Sequence, residues 1–235
     1  MQATFRILRY NPEKDNHPHF ENYTLDVHET MTVLDVLHRI KWDYDGTLSF
    51  RRSCAHGICG SDGIKINGKN GLACSLLLKE INLKKTVTIE PLPSQPIIKD
   101  LIVDMTDFFQ KYEAVKPYLI NTAPPPVEGE RLQSNENAEM LFESAKCILC
   151  GCCTTSCPST WSNENYLGPA ALLKAYRFVF DTRDEATDER LDIIDTPDGA
   201  WRCHTIFNCI ECCPKEINIT WHISQLKKKV AAREL

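Results

Sequence analysis

Between positions 147 and 158 the chain reads Cys-Ile-Leu-Cys-Gly-Cys-Cys-Thr-Thr-Ser-Cys-Pro, placing Cys147, Cys150, Cys153 and Cys157 in a C-x2-C-x2-C-x3-C-P frame. Thiolates at this spacing hold iron–sulfur clusters: three wrap one cluster and the fourth reaches a different one. The run therefore demands a partner. Residues 203–214 supply it, with Cys203, Cys209 and Cys213 followed by Pro214. The crossover assigns Cys147, Cys150, Cys153 and Cys213 to a 4Fe–4S site, and Cys157, Cys203 and Cys209 to the reciprocal site. Three residues after Cys203, where a fourth thiolate would lie, stands Ile206. A hydrocarbon side chain cannot ligate iron, so this site is expected to stop at three irons, a 3Fe–4S cluster with Ile206 over the vacant corner. Cys152 and Cys212 fall outside both frames and read as small buried hydrophobes.

A second chemistry lies upstream. Cys54, Cys59, Asp62 and Cys74 give C-x4-C-x2-D-x11-C, the plant-type ferredoxin spacing with a carboxylate in the third ligand position. Aspartate keeps the formal charge of a thiolate while offering a harder oxygen donor. Asp62 is expected to ligate a 2Fe–2S cluster; the alternative is a Ser-Asp-Gly turn residue beside a solvent ligand. Gly57, Gly60 and Gly63 allow the close backbone approach that N–H donation to cluster sulfurs requires.

The remaining composition bounds the class. The chain has 235 residues, 43% apolar and 25% charged, with a formal charge of −5, so nothing provides the basic face of a nucleic-acid binder. No apolar run reaches the ~20 residues that span a bilayer. Met1-Gln-Ala-Thr-Phe-Arg carries neither signal core nor presequence, which favours a cytoplasmic chain. Its twelve cysteines are read as ligands rather than disulfides, since they cluster in short-spaced runs. A structural zinc module is the different-class alternative, although zinc sites need no crossover and no missing-ligand position.

The elements that must position these residues divide by period. Residues 3–10 and 22–28 alternate as strands, Thr32 with Asp35 caps a helix bearing Val33, Leu34, Leu37 and Ile40, and residues 86–90 form a further strand. This order suits an N-terminal β-grasp domain of the plant-type 2Fe–2S ferredoxin kind, residues 1–105. From residue 100 the period becomes helical, with helices expected over 100–116, 136–146, 169–182 and 219–233. Residues 106–235 are therefore an α-helical, bacterial-ferredoxin-like domain, and the whole is α+β. Histidines 17, 19, 28, 38, 56 and 222 lack ligand spacing and read as surface or packing residues, and Lys227-Lys228-Lys229 as a solvated helix end.

Arg51-Arg52-Ser53-Cys54, Cys59-Gly60-Ser61-Asp62-Gly63, Asn67-Gly68, Ile98–Met105, both Cys-Pro runs, Gly168-Pro169-Ala170 and Arg202-Cys203-His204 together resemble the iron–sulfur subunits of the succinate dehydrogenase/fumarate reductase family. The resemblance covers nearly the whole chain and implies a relay of 2Fe–2S, 4Fe–4S and 3Fe–4S clusters. It implies electrons received from succinate through FAD on a flavoprotein partner and passed to quinone at membrane anchor subunits that can carry haem b. The chain would then be peripheral, on the cytoplasmic side of a bacterial inner membrane. Fumarate reductase, the reverse reaction, is the same-class alternative. The resemblance also implies a quinone wall of Pro158, Ser159, Trp161, His204 and Ile206. Counting back from Gly168-Pro169 puts Trp161 at the quinone-facing position, which is the reading taken; counting forward from Pro158 puts it at the neighbouring one.

Overall fold

The structure, a computed structural model, describes residues 1–233. Strand β1 (Gln2–Arg9) alternates as its sequence demands, turning Ala3, Phe5, Ile7 and Arg9 inward. It pairs antiparallel with β2 (His19–Asp26) and parallel with β5 (Val87–Glu90). The hairpin β3 (Gly63–Ile66) and β4 (Lys69–Leu72) completes a five-stranded sheet in the order β2-β1-β5-β3-β4. Helix α1 (Val33–Arg39) packs on this sheet. Thr32 and Asp35 form the expected capping box, worth about 1 kcal/mol. Val33, Leu34, Leu37 and Ile40 are buried in one core with Phe5, Ile7, Val87 and Ile89, and each such side chain removed from water contributes roughly 1.5–3 kcal/mol. The helix runs on into a wider π turn, Ile40–Tyr44.

An inward arginine at the end of a hydrophobic alternation needs partners, and Arg9 has them. Its guanidinium donates to Asp100 at 3.1 Å, to Glu21 at 2.8 Å, to Thr47 at 2.8 Å and to Asp45. Burial opposes its charge, but the bonds to Asp45 and Asp100 outweigh that and raise its pKa above the ordinary value. Asp100 also accepts from the backbone N–H groups of Tyr10 and Ser49. Here the structure corrects the helix expected over 100–116. Residues 97–103 form the small hairpin β6 (Ile97–Lys99) and β7 (Ile102–Val103), and α2 begins only at Thr106 (Thr106–Ala114). Asp100 sits at the turn with φ 46°, a left-handed conformation tolerated by Asp, where its carboxylate can meet Arg9.

The described residues form two compact units, the first comprising residues 1–105, 148–156 and 212–214, and the second residues 106–147, 157–211 and 215–233. The second unit is helical. Its elements are α2, α3 (Asn135–Ala145), α5 (Pro158–Ser162), α6 (Gly168–Val179), α7 (Thr187–Ile194), α8 (Asn208–Glu211) and α9 (Ile219–Ala231), while the short α4 (Cys152–Thr155) belongs to the first unit. Helix α7 was not anticipated; Arg190 in it is fully buried, pairing with Asp184 and donating to the carbonyls of Lys116 and Tyr118. Among the described residues no helix is long and apolar enough to cross a membrane.

Candidate metal centres

The first centre is built from the loop between the π turn and β3 together with Cys74, just after β4. Backbone N–H groups of Ile58 and Cys59 point at the Cys54 sulfur at 3.4 and 3.2 Å, and the Cys54 N–H points at the Cys59 sulfur at 3.5 Å. Donation from the His56, Cys59 and Ile58 N–H groups draws the Cys54 thiol down to about 6, the direction a ligating thiolate needs. Ala55 (φ 57°) and Gly57 (φ 76°) hold left-handed conformations that turn these amides inward. Cys74 is buried, and burial first, then Asp62, pushes its thiol up to about 11.

Asp62 is only 3% exposed. Its Oδ2 accepts the Cys74 N–H at 2.6 Å, while Oδ1 is buried with no hydrogen-bond partner. A buried carboxylate oxygen without a donor is costly unless something electropositive completes it. The site therefore fits a cluster iron better than a simple turn, whose Asp faces solvent.

The stretch before and within α4 carries Cys150, Cys152 and Cys153 in the first unit, as is Cys213. Cys150 is drawn below and Cys152 raised well above the ordinary thiol value, the largest cause for each being the other thiol. The position outside the ligand frame is therefore electrostatically linked to a frame sulfur, which its burial alone did not announce. Cys212 is also buried, with its sulfur 3.1 Å from the Ser156 hydroxyl. In the second unit Lys174 reaches the Cys147 carbonyl at 3.4 Å.

The last centre lies wholly in the second unit. One cavity is lined by Cys157, Cys203 and Cys209 together with Ile206, and Pro158, Ser159 and His204 also border it. Burial pushes the Cys209 thiol up to about 11, opposed by the Thr220 hydroxyl at 3.5 Å and reinforced by the nearby Cys157 and Cys203. The turn over this cavity is strained: Thr205 and Phe207, on either side of Ile206, have φ of 58° and 72°, conformations costing on the order of 1–3 kcal/mol each and concentrated at functional sites. Trp161 is exposed and does not line the cavity. Lys227 differs from its expected place in a solvated helix end, since its ammonium donates to the Cys203 carbonyl at 2.7 Å. No disulfide joins any of the twelve cysteines. Among the described residues no three His, Cys, Asp or Glu side chains close on a single metal ion.

A β-grasp unit with an N–H-lined thiol loop and a helical unit whose thiols come from paired Cys-Pro runs define an iron–sulfur electron carrier. Residues 4–110 match the family described as 2Fe-2S iron-sulfur cluster binding domain, and residues 139–214 match the 4Fe-4S dicluster domain family. The chain is 46% identical over 231 residues to the mitochondrial succinate dehydrogenase [ubiquinone] iron-sulfur subunit of Candida glabrata, covering 97% of this chain and 91% of that relative. It is 47% identical over 229 residues to the mitochondrial succinate dehydrogenase [ubiquinone] iron-sulfur subunit 1 of Oryza sativa subsp. japonica, covering 96% of this chain and 81% of that relative. A chain of the Mycobacterium smegmatis Sdh1 complex in the apo form superposes with a TM-score of 0.86 at 26% identity, covering 99% of this chain and 96% of that one. The protein belongs to the succinate dehydrogenase iron–sulfur subunit family. It is the electron-transfer iron–sulfur subunit of that enzyme.

Proposed function

We propose that three clusters are held here in two sequence domains, 1–105 and 106–235, and that they relay electrons from succinate to quinone. Cys54, Cys59, Asp62 and Cys74 hold 2Fe–2S; Cys147, Cys150, Cys153 and Cys213 hold 4Fe–4S; Cys157, Cys203 and Cys209 hold 3Fe–4S. When bound, such clusters supply one-electron transfer and no bond chemistry. The chain's own residues fix where charge can sit. The N–H groups of Ile58 and Cys59 donate to the Cys54 sulfur, which stabilises added negative charge and raises a potential, and the Thr220 hydroxyl, 3.5 Å from the Cys209 sulfur, would do the same once that sulfur is a thiolate ligand.

The observation that carries this reading is the single cavity bordered by Cys157, Cys203, Cys209 and Ile206. Pro158, Ser159, His204 and Ile206 on that border support quinone recognition beside the last cluster. Trp161, exposed one turn along α5, joins the quinone wall from outside the cavity. The partners are a flavoprotein subunit carrying FAD, and membrane anchor subunits, which can carry haem b, that keep this chain peripheral on the cytoplasmic face of a bacterial inner membrane.

Metal and acid-labile sulfide analysis of the purified complex tests the cluster content: about nine irons and about ten sulfides are expected. Zinc without sulfide would end the proposal. Ile206→Cys should add a fourth ligand and convert the three-iron signal toward a four-iron one; an unchanged iron count in the folded variant would remove Ile206 from its assigned place.

A further inference from the structure

The first unit holds two cluster-binding stretches, the Cys54–Cys74 loop and residues 148–156. Ile148 and Cys150 pack against the core of the β-grasp sheet, and the contact with the first loop is made at Gly60 and Gly63. A Cβ on Gly60 would lie 2.7 Å from the Ile148 carbonyl oxygen and 3.0 Å from both Cα and Cβ of Cys150. A Cβ on Gly63 would lie 2.7 Å from the Cys150 carbonyl oxygen and 3.5 Å from the Cys152 sulfur. Real Cβ atoms do not sit at 2.7 Å, and in both cases the obstacle is backbone, which cannot swing aside. Gly60 has φ +69°, which by itself favours glycine. Gly63 has no such conformational reason, so its lack of a side chain is explained by proximity to Cys150.

A second feature fixes the same approach from the other side. Asn70, buried on β4, donates from Nδ2 to the Cys152 carbonyl at 3.1 Å and to the Thr155 hydroxyl at 2.9 Å. Thr155 in turn donates to the Gly151 carbonyl at 3.0 Å. The strand that leads to Cys74 is thereby tied to the start of α4. Between the two glycines lies Asp62, whose charge is felt at Cys150. One face of the four-residue segment 60–63 serves the first centre, and the other bears on the backbone of the second.

We infer that Gly60 and Gly63 are spacer residues, and Asn70 the pin, that set the separation between the 2Fe–2S and 4Fe–4S sites. This rests on the ligand assignment above. Electron exchange between two sites falls steeply with distance, so a methyl group at position 63 acts on the rate without touching a ligand. Asn70 and the glycines are positioning residues only.

The test uses the intact complex carrying Gly63→Ala, Asn70→Ala and, as a control, Gly71→Ala, since a Cβ at Gly71 meets nothing within 4 Å. Iron and sulfide content and the separate paramagnetic spectra of the two reduced clusters are recorded first; their absence in the unmodified complex overturns the ligand assignment, not the spacer role alone. Where both clusters assemble, the magnetic coupling between them is measured by pulsed paramagnetic resonance, and the rate of reduction of the second cluster by rapid freeze-quench after succinate addition. Gly63→Ala and Asn70→Ala should weaken the coupling, lengthen the inter-cluster distance and slow the second reduction, while Gly71→Ala matches wild type. Wild-type coupling and rate in Gly63→Ala overturn the inference. If Gly63→Ala does not assemble, wild-type coupling and rate in Asn70→Ala overturn it equally.

Discussion

In the Cys54–Cys74 loop, sulfur ligands meet backbone N–H groups and Cys59 is exposed, whereas in the second unit Cys209 is buried beside a threonine hydroxyl and two further thiols border the same cavity. The first arrangement draws Cys54 down to about 6; the second leaves Cys209 up at about 11. The cause is solvation and donors. Several amides aimed at the half-buried Cys54 sulfur stabilise its anion, while burial of the Cys209 sulfur disfavours its charged form. A donor-rich loop can therefore accept a substituted ligand, the place proposed for Asp62.

The largest expected effect tests that difference directly. Cys209→Ser should abolish the three-iron signal altogether, with the 2Fe–2S spectrum intact, whereas Asp62→Cys should retain a 2Fe–2S cluster with altered spectra. Paramagnetic spectra of the two variants read both outcomes, and a surviving three-iron signal in Cys209→Ser would break the contrast. Next in size is the support of the first unit. Arg9→Met removes the cation between Asp100, Glu21 and Asp45 and leaves the buried Asp100 carboxylate uncompensated, for a loss of about 3–5 kcal/mol. A lowered midpoint of chemical unfolding of the sheet, followed by hydrogen exchange at β1 and β5, measures it; wild-type protection would show the carboxylates find other partners.

The smallest effect belongs to the second unit. His222 is fully buried, Nδ1 donating to the Asn218 carbonyl at 2.8 Å, so Nε2 carries the lone pair, 3.7 Å from Glu143. Burial lowers its pKa, outweighing the Asn218 bond and the attraction of Glu143; Tyr176 packs against the ring edge-on. The unfolded chain therefore takes the proton at higher pH than the folded one. Stability is complete above the ordinary histidine pKa near 6.5 and falls as pH drops below it, until the folded pKa is passed. His222→Gln should flatten this acid-side loss in unfolding curves between about pH 7 and 5, and an unaltered slope would assign the loss to other groups.

What sequence alone settled is short-range. The Thr32–Asp35 capping box, the alternation of β1 and the helices near 136–146, 169–182 and 219–233 depend on neighbours a few positions apart, and they are present within a few residues of the expected bounds. The Cys frames are legible for the same reason, because a loop wrapping a cluster constrains adjacent ligands through chain geometry. Ile206 stood out against that frame before any fold was known. The hairpins at 63–72 and 97–103 were not legible: glycines and a left-handed Asp100 interrupt their periodicity, and what holds Asp100 is an arginine 91 positions away. Only the tertiary structure could decide that residues 148–156 pack with the β-grasp sheet, that the Cys150 backbone leaves no room for a side chain at Gly63, and that one Asp62 oxygen is buried without a hydrogen-bond partner. Spacing along a chain fixes which atoms can act as ligands; burial and distant partners, which exist only after folding, fix how far apart the sites lie and how their charges are held.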